Sequence, residues 1–490
     1  MLVVDAPRGP VRGRWRETGG SRSAAFLGIP FAQPPVGELR FAAPKPVVRW
    51  TAVRDATAYG PTAQRIVPGD DALIPEPSIP GESTLNVNVF TPTVEAGTAL
   101  PVMVWIHGGG FTAGSPASPW YDGRAFNRDG VVTVTVSYRL GFDGFGWIDG
   151  APHNRAVLDW LAALEWVQAN IVAFGGDPSR VTIAGQSAGG GAVLTLLGMP
   201  AAQHLFHSVY CLSGATADVR PEKAAAFARK LAARAGVEPS LSGFRSVPEE
   251  RLLQLQYASS GGPRFDPLAG VRTTLDEGLP LGPVVDGDLV PLPVVEAIAA
   301  GVGSDKPLVL GSTDDEFSHA LDAYKNYLRF VPTSLLLTKL GLPKATAPAY
   351  RAGNRETAGT GTAAVVGRFI TDRVFRALVV RVAAARGEAP TWVYRFAWRS
   401  PVLGYAVHCL DVPFFFDCLD AERVSRLGGA APPQVLADEI HSAAVRFVSA
   451  GDPGWPRWTT DDREAMVFGD PSAVAPHAYA DVVALTDPPR

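Results

Sequence analysis

The stretch Val181-Thr182-Ile183-Ala184-Gly185-Gln186-Ser187-Ala188-Gly189-Gly190-Gly191-Ala192-Val193 constrains this chain more than any other part of it. A β-branched run feeds a G-x-S-x-G pentapeptide, and small residues suited to a helix follow at once. That is the layout of a nucleophile elbow, in which a tight strand-to-helix turn lifts one serine hydroxyl clear of a sheet. Gly185 and Gly189 fall where a Cβ would collide with a neighbouring strand or helix, and Ala188 is nearly as small. The turn puts Ser187 at a helix N-terminus, where free N–H groups and the positive end of the dipole favour a developing oxyanion. Ser187 is therefore the candidate nucleophile. The bare pentapeptide also fits a glycine-rich turn in an unrelated fold; the strand before it and the helix after it weigh against that.

Composition narrows the class. At 490 residues the chain can bury a large core, and 47% hydrophobic against 19% charged residues, with 51 glycines and 43 prolines, describes a loop-rich globular protein. A net charge of -4 and a pI near 6.1 give no electrostatic footprint for nucleic acid or an anionic membrane, so neither partner is expected. Met1-Leu2-Val3-Val4-Asp5 reaches an acid before an apolar segment can form, and no run approaches the ~18 apolar residues of a spanning helix. Three cysteines, Cys211, Cys409 and Cys418, are few and odd in number, which points to a reducing, cytoplasmic compartment, with a Cys409–Cys418 pair as the alternative. No Cys/His cluster has zinc-ligand spacing and no phosphate or dinucleotide fingerprint follows a strand, so neither metal nor cofactor is expected.

Along the chain, Phe26-Leu27-Gly28-Ile29-Pro30-Phe31 reads as strand and extended loop wrapping a core, and Pro61 to Glu82 as a polar, proline-rich surface loop or flap. Leu85 to Phe90 alternates like a half-exposed strand, whereas Val102-Met103-Val104-Trp105-Ile106 and Val131 to Val136 are the near-continuous apolar runs that a two-sided sheet buries. Val157, Leu161, Leu164, Val167 and Ile171 recur at helical spacing and lead into the elbow strand, with Val209 to Leu212 after it. Such alternation implies a parallel, doubly wound sheet. Pro221 to Leu279 and Thr333 to Asn354 read as helical cap insertions, separated by a strand at Pro307 to Leu310. A helix around Val365 to Ala385, a strand Thr391 to Phe396 and a helix from Gln434 to Ala450 complete the pattern. No linker splits the chain, so a single domain over 1–490 is expected.

A serine hydroxyl needs a base within hydrogen-bond reach and a carboxylate to orient that base. Of the histidines after Ser187, His204 and His207 come too early, just ahead of the next strand, and His441 sits inside a helix. His408 lies in a loop shortly after a strand, where catalytic side chains belong in an open α/β sheet. For the acid, Asp314, Asp315 and Glu316 all follow one strand directly, and spacing does not choose among them. His107-Gly108-Gly109-Gly110-Phe111 follows a buried strand as an oxyanion loop should.

These residues together resemble the type-B carboxylesterases, the cholinesterase-like α/β-hydrolases, in particular their bacterial para-nitrobenzyl esterase-like members. The likeness runs nearly end to end, through Phe26 to Ala32, Leu85 to Pro92, the HGGGF run, Ser137-Tyr138-Arg139-Leu140-Gly141, Phe174-Gly175-Gly176-Asp177-Pro178, GQSAGG and Gly451-Asp452-Pro453. The resemblance implies an α/β-hydrolase fold, Glu316 as the acid, His408 as the base, and the backbone of Gly109, Gly110 and Ala188 as oxyanion donors. It also implies that Ser213 supports the triad from behind. Four departures stand out: Phe317 and Cys409 replace the usual glycines after the acid and the histidine, and Ala63 and Thr84 stand where secreted relatives keep a cysteine pair. Asn86 and Ser137 deviate as well.

The expected protein is a monomeric serine carboxylesterase acting on a small-molecule ester through an acyl-enzyme, in a pocket built from Phe111, Phe317 and the caps. The alternatives are a carbamate, amide or oligomeric-ester hydrolase with the same triad and, more remotely, a non-catalytic cholinesterase-like binding protein.

Overall fold

The computed structural model describes residues 2–18, 21–66, 72–95, 97–260 and 267–486. Among these residues thirteen strands form one sheet: β1 (Leu2–Ala6), β2 (Gly9–Thr18), β3 (Ser21–Pro30), β4 (Arg54–Asp55), β5 (Asn86–Thr91), β6 (Leu100–Ile106), β7 (Val132–Val136), β8 (Gly176–Gln186), β9 (Ser208–Leu212), β10 (Leu308–Thr313), β11 (Thr391–Phe396), β12 (Ala465–Phe468) and β13 (Ala473–Ala475). The order is β1-β2-β3-β5-β7-β6-β8-β9-β10-β11-β12-β13, with β4 beside β2. From β7 to β12 every neighbouring pair is parallel. The flanks, β1-β2-β3-β5-β7 and β12-β13, are antiparallel.

The central strands are buried along their length because helices cover both faces, which is why they read as unbroken apolar runs. The helix Arg155–Asn170 buries Val157, Trp160, Leu164 and Val167 in the core under one face. Its extension to Phe174 makes Arg155–Phe174 long and apolar enough to cross a bilayer by length and composition alone, contrary to the expectation that no run comes close, yet its apolar stripe faces the sheet. The helix Gln434–Ala450 covers the other face with Leu436, Ile440, Ala444 and Phe447.

The sheet is mostly parallel, as expected, with long antiparallel strands from the first ninety residues added at one edge. One further expectation is corrected. Alternation in β5 does not mark a solvent face: Asn86 and Asn88 are buried, their amides held by the Pro61 and Ser83 carbonyls, by Thr135 Oγ1 at 2.8 Å and by Gly28 N–H at 2.9 Å. The stretch 61–82 falls in part outside the described residues, at 67–71; the rest is an irregular loop, exposed at Ser78 and at 80–82, that is anchored by Ile74 in the core and by the Arg65 guanidinium donating to the Glu76 and Pro77 carbonyls at 2.7 and 2.8 Å.

The segments 221–260 and 267–277 are helical, as are Thr333–Lys339 and Ala347–Gly353, and residues 362–385 form one long helix interrupted by a π-turn at Asp372–Arg376.

Candidate active site

The elbow is built by close packing. β8 ends at Gln186, the helix Ala188–Leu197 begins one residue later, and Ser187 between them holds φ 60° and ψ −122°. A non-glycine residue in that region costs of order 1–3 kcal/mol, tolerated only where surroundings enforce it. Here the Ser187 N–H donates to Leu212 O at 3.0 Å, and its carbonyl accepts from Gly191 and Ala215 N–H at 2.8 and 3.1 Å. A Cβ on Gly185 would strike the Gly189 carbonyl, and one on Gly189 would strike that of Ile106, so both glycines are steric necessities.

Glu316 comes from the loop after β10 and His408 from the loop after β11. Glu316 is fully buried; its Oε1 accepts from Thr313 N–H at 3.0 Å and its Oε2 meets His408 Nδ1 in a short hydrogen bond. The two loops are also tied by backbone: His408 N–H donates to Glu316 O at 2.8 Å and Asp315 N–H to Ala406 O at 2.9 Å. On the far side of the ring, His408 Nε2 lies 2.9 Å from Ser187 Oγ and 3.2 Å from Gln186 Nε2. With the Nδ1 proton directed at Glu316, Nε2 is an acceptor for both.

The other two acids are claimed by arginines. Asp314 takes both arms of Arg395 at 2.5 and 2.8 Å, which overrides its burial and pushes its pKa down to about 2; Asp315 pairs with Arg368 at 3.1 Å. Burial alone would depress the His408 pKa, but the Cys409 sulfur and the Glu316 carboxylate beside it outweigh that and hold it well above the ordinary imidazole value. Two of the other histidines are engaged elsewhere: His441 bridges Asp129 and the Phe415 carbonyl, and His207 accepts from Val181 N–H.

The glycine loop after β6 lies against the elbow. A Cβ on Gly108 would sit 3.0 Å from Ser187 Cβ, and Gly109 and Gly110 hold φ of 110° and 60°, a path open to glycine. The amides of Gly109, Gly110 and Ala188 have no acceptor among the described residues and border the same cavity as Ser187. The loop is braced from behind by Tyr138, which stacks on His107 at 4.5 Å and donates to its carbonyl at 2.9 Å.

The cavity over these groups measures about 1360 Å³. It runs from Leu73, Ile74 and Glu76 past Ser187 and His408 to Phe227, Leu275 and Leu378 on the covering helices. Phe317 lines it, but Phe111 does not: φ 61° at Phe111 turns the ring into the core against Phe145 and Trp160. Cys409 holds φ 68°, the conformation a glycine would favour, whereas Phe317 at φ −117° needs no glycine. The Ser213 hydroxyl is buried and has no hydrogen-bond partner among the described residues. Cys211, Cys409 and Cys418 are all free and buried. Glu76, whose carboxylate accepts from Gly114 N–H at 2.8 Å and from Arg65, and Phe375, 5.1 Å from the His408 ring, were not singled out in the sequence. Nothing in their local patterns distinguishes them from other loop acids and helix aromatics.

Comparison with known proteins agrees along almost the whole length. A family model described as "Carboxylesterase family" matches residues 1–474. The chain is 35% identical over 465 residues to the para-nitrobenzyl esterase of Bacillus subtilis, covering 90% of each, and 34% identical to the phenmedipham hydrolase of Pseudarthrobacter oxydans, covering 91% and 92%. Among solved structures it is similar to the Geobacillus stearothermophilus carboxylesterase EST55 at pH 6.2, with a TM-score of 0.83 and 33% identity over 99% of this chain and 100% of that one.

Proposed function

The chain belongs to the carboxylesterase family, a serine hydrolase acting on carboxylic ester bonds, and from that premise we propose that Ser187, His408 and Glu316 carry the reaction. Ser187 Oγ attacks the ester carbonyl while His408 Nε2 takes its proton. Glu316 holds the ring through Nδ1 and stabilises the imidazolium that forms. The carbonyl oxygen, now an anion, is received by the N–H groups of Gly109, Gly110 and Ala188. His408 returns the proton to the departing alcohol, leaving an acyl group on Ser187. Water, deprotonated by the same imidazole, then releases the carboxylic acid and restores the serine.

The observation that supports this most directly is the unbroken contact from Ser187 Oγ through the His408 ring to Glu316. Ser187→Ala should lower kcat by at least ~10⁴-fold while the protein stays folded. Turnover near the parent rate in that variant would remove Ser187 from its role.

A cavity of about 1360 Å³ is larger than the usual small-ligand pocket of roughly 300–1,000 Å³, and much of its wall is apolar. We therefore propose bulky, largely apolar esters as substrates. A panel of aryl esters of rising acyl length, with carbamates and anilides beside them, should show rates rising beyond acetyl and falling for the less electrophilic carbonyls. A cytoplasmic location is proposed as well, supported by three buried, free cysteines; fractionation of the producing cell tests it.

A further inference from the structure

Two phenyl rings pack against the imidazole of His408. The Phe317 centroid lies 4.7 Å from it with planes inclined at 36°, and the Phe375 centroid 5.1 Å from it at 42°. The two phenyl centroids are 5.8 Å apart. Rings on opposite sides of the imidazole would have centroids much farther apart than this, so both lie on one side of it, while its two nitrogens meet Glu316 and Ser187.

The rings come from elements far apart in sequence that one ion network fastens together. Phe317 follows Asp315 and Glu316, and Asp315 is paired with Arg368 on the long helix. Phe375 sits in the π-turn of that helix, flanked by Asp372 and Arg376, which are fully buried and paired at 2.7 Å. Arg376 and Arg368 both reach Asp481, and Tyr350 OH donates to Asp372 at 2.7 Å. Widening by a π-turn re-aims side chains at one point of a helix, a feature that recurs at functional sites. Here Phe375 faces the cavity together with Arg373 and Val374, while Asp372 and Arg376 point into the network.

We propose that Phe317 and Phe375 are positioning residues for the base, fixing the His408 ring and offering π-faces to the imidazolium that exists only while Ser187 has given up its proton. The proposal rests on the assignment of His408 as base. A cation within about 6 Å of an aromatic centroid is attracted to it, more strongly where water is excluded, and His408 is buried. Because the positive charge develops in the transition state, such attraction accelerates the chemical step rather than tightening ground-state binding. Other groups facing this ring are Glu316 and His319 from the acid loop and Cys409 and Asp411 from its own loop, while Arg373 on the long helix lines the same cavity. The phenyl rings act on top of that electrostatic background.

The decisive variants are Phe317→Leu, which keeps apolar cover and removes the π-face, and Phe317→Tyr, which restores it; glycine would also admit water and shift the imidazole the opposite way. Phe317 is 38% exposed, so these changes leave the fold intact. With a neutral aryl ester and the full-length enzyme, Phe317→Leu should lower kcat roughly 2- to 10-fold with KM nearly unchanged. The acid limb of its kcat/KM profile should move down by a few tenths of a pH unit to about one unit. Phe317→Tyr should recover both, and Phe375→Leu should act in the same direction. An unmoved acid limb with unchanged kcat in both leucine variants would overturn the proposal. So would a loss confined to KM, which would make Phe317 a wall that substrate touches. A parent protein that hydrolyses no ester would fail earlier, at the role of His408 itself, and the proposal would fall with it.

Discussion

At Nε2 of His408 two donors compete, the Ser187 hydroxyl at 2.9 Å and the Gln186 amide at 3.2 Å. Both suit the neutral ring, but once Nε2 has taken the serine proton it becomes a donor itself, and the amide N–H opposes it. Gln186→Glu replaces that donor with a carboxylate able to accept, which stabilises the imidazolium. The sign follows from the base needing to be neutral: its active fraction falls as pH drops below its pKa, so a raised pKa moves the loss of activity to higher pH. In the parent enzyme the acid limb should already lie above the ordinary imidazole value of about 6.5, since His408 is raised by Cys409 and Glu316 despite burial. In Gln186→Glu it should rise further, by roughly 0.5–1 unit, in the pH dependence of kcat/KM. A limb that stays put would mean that the 3.2 Å contact carries no electrostatic weight. At this scale the sequence was legible where a steric motif names the residue, as at Ser187. It was not where tertiary partners decide: Asp314, Asp315 and Glu316 look alike along the chain, and only Arg395 and Arg368, arriving from distant elements, separate them. Phe111 misled for a related reason, because its direction is set by a positive φ that the HGGGF string does not reveal.

Elements with a strict period were readable to the residue; those bent by buried charge were not. The helix Gln434–Ala450 coincides with its apolar pattern, and β11 with its run of β-formers. The stretch 362–385 reads as an ordinary helix, yet at Asp372–Arg376 it widens into a π-turn, and the periodicity of apolar residues carries no sign of this. At the turn Arg376 donates to Asp372 and Asp481 at 2.7 and 2.9 Å, with the Tyr479 ring 5.2 Å from its guanidinium. Removing one partner of a buried pair leaves an uncompensated charge, at a cost of about 3–5 kcal/mol. Arg376→Leu should therefore lower the apparent Tm markedly, and it should lower kcat in the protein that remains folded, since Phe375 is its immediate neighbour. An equally stable Arg376→Leu variant would show that burial alone keeps Asp372 neutral once the arginine is gone, against the pull of the Tyr350 hydroxyl towards the charged form.

Three side chains spread over a span of 221 residues meet because β8, β10 and β11 run parallel and close together, so the loops leaving their C-terminal ends open onto one rim. The rim that carries these side chains belongs to the sheet, but part of the cavity's cover is joined to helices that have a core of their own. Leu336, Leu337, Leu340, Leu342, Tyr350, Val365, Val366 and Phe369 form a separate buried cluster, much smaller than the two that sandwich the sheet. A small satellite core buries less apolar area and opens at lower free energy than the main body. The distribution of tryptophan makes this measurable: the chain has 11, none lies between Trp166 and Trp392, and none packs against the satellite core among the described residues, so their fluorescence reports the sheet and its two principal cores and not that cluster. In a urea titration, esterase activity should therefore vanish at a lower concentration than the one at which tryptophan emission shifts, because loosening of the helix that bears Phe375 disorders the pocket while the sheet still stands. Coincident midpoints would mean instead that the covering helices and the sheet unfold as one cooperative unit, with the ion network of Asp315, Arg368, Arg376, Asp372 and Asp481 as the coupling between them.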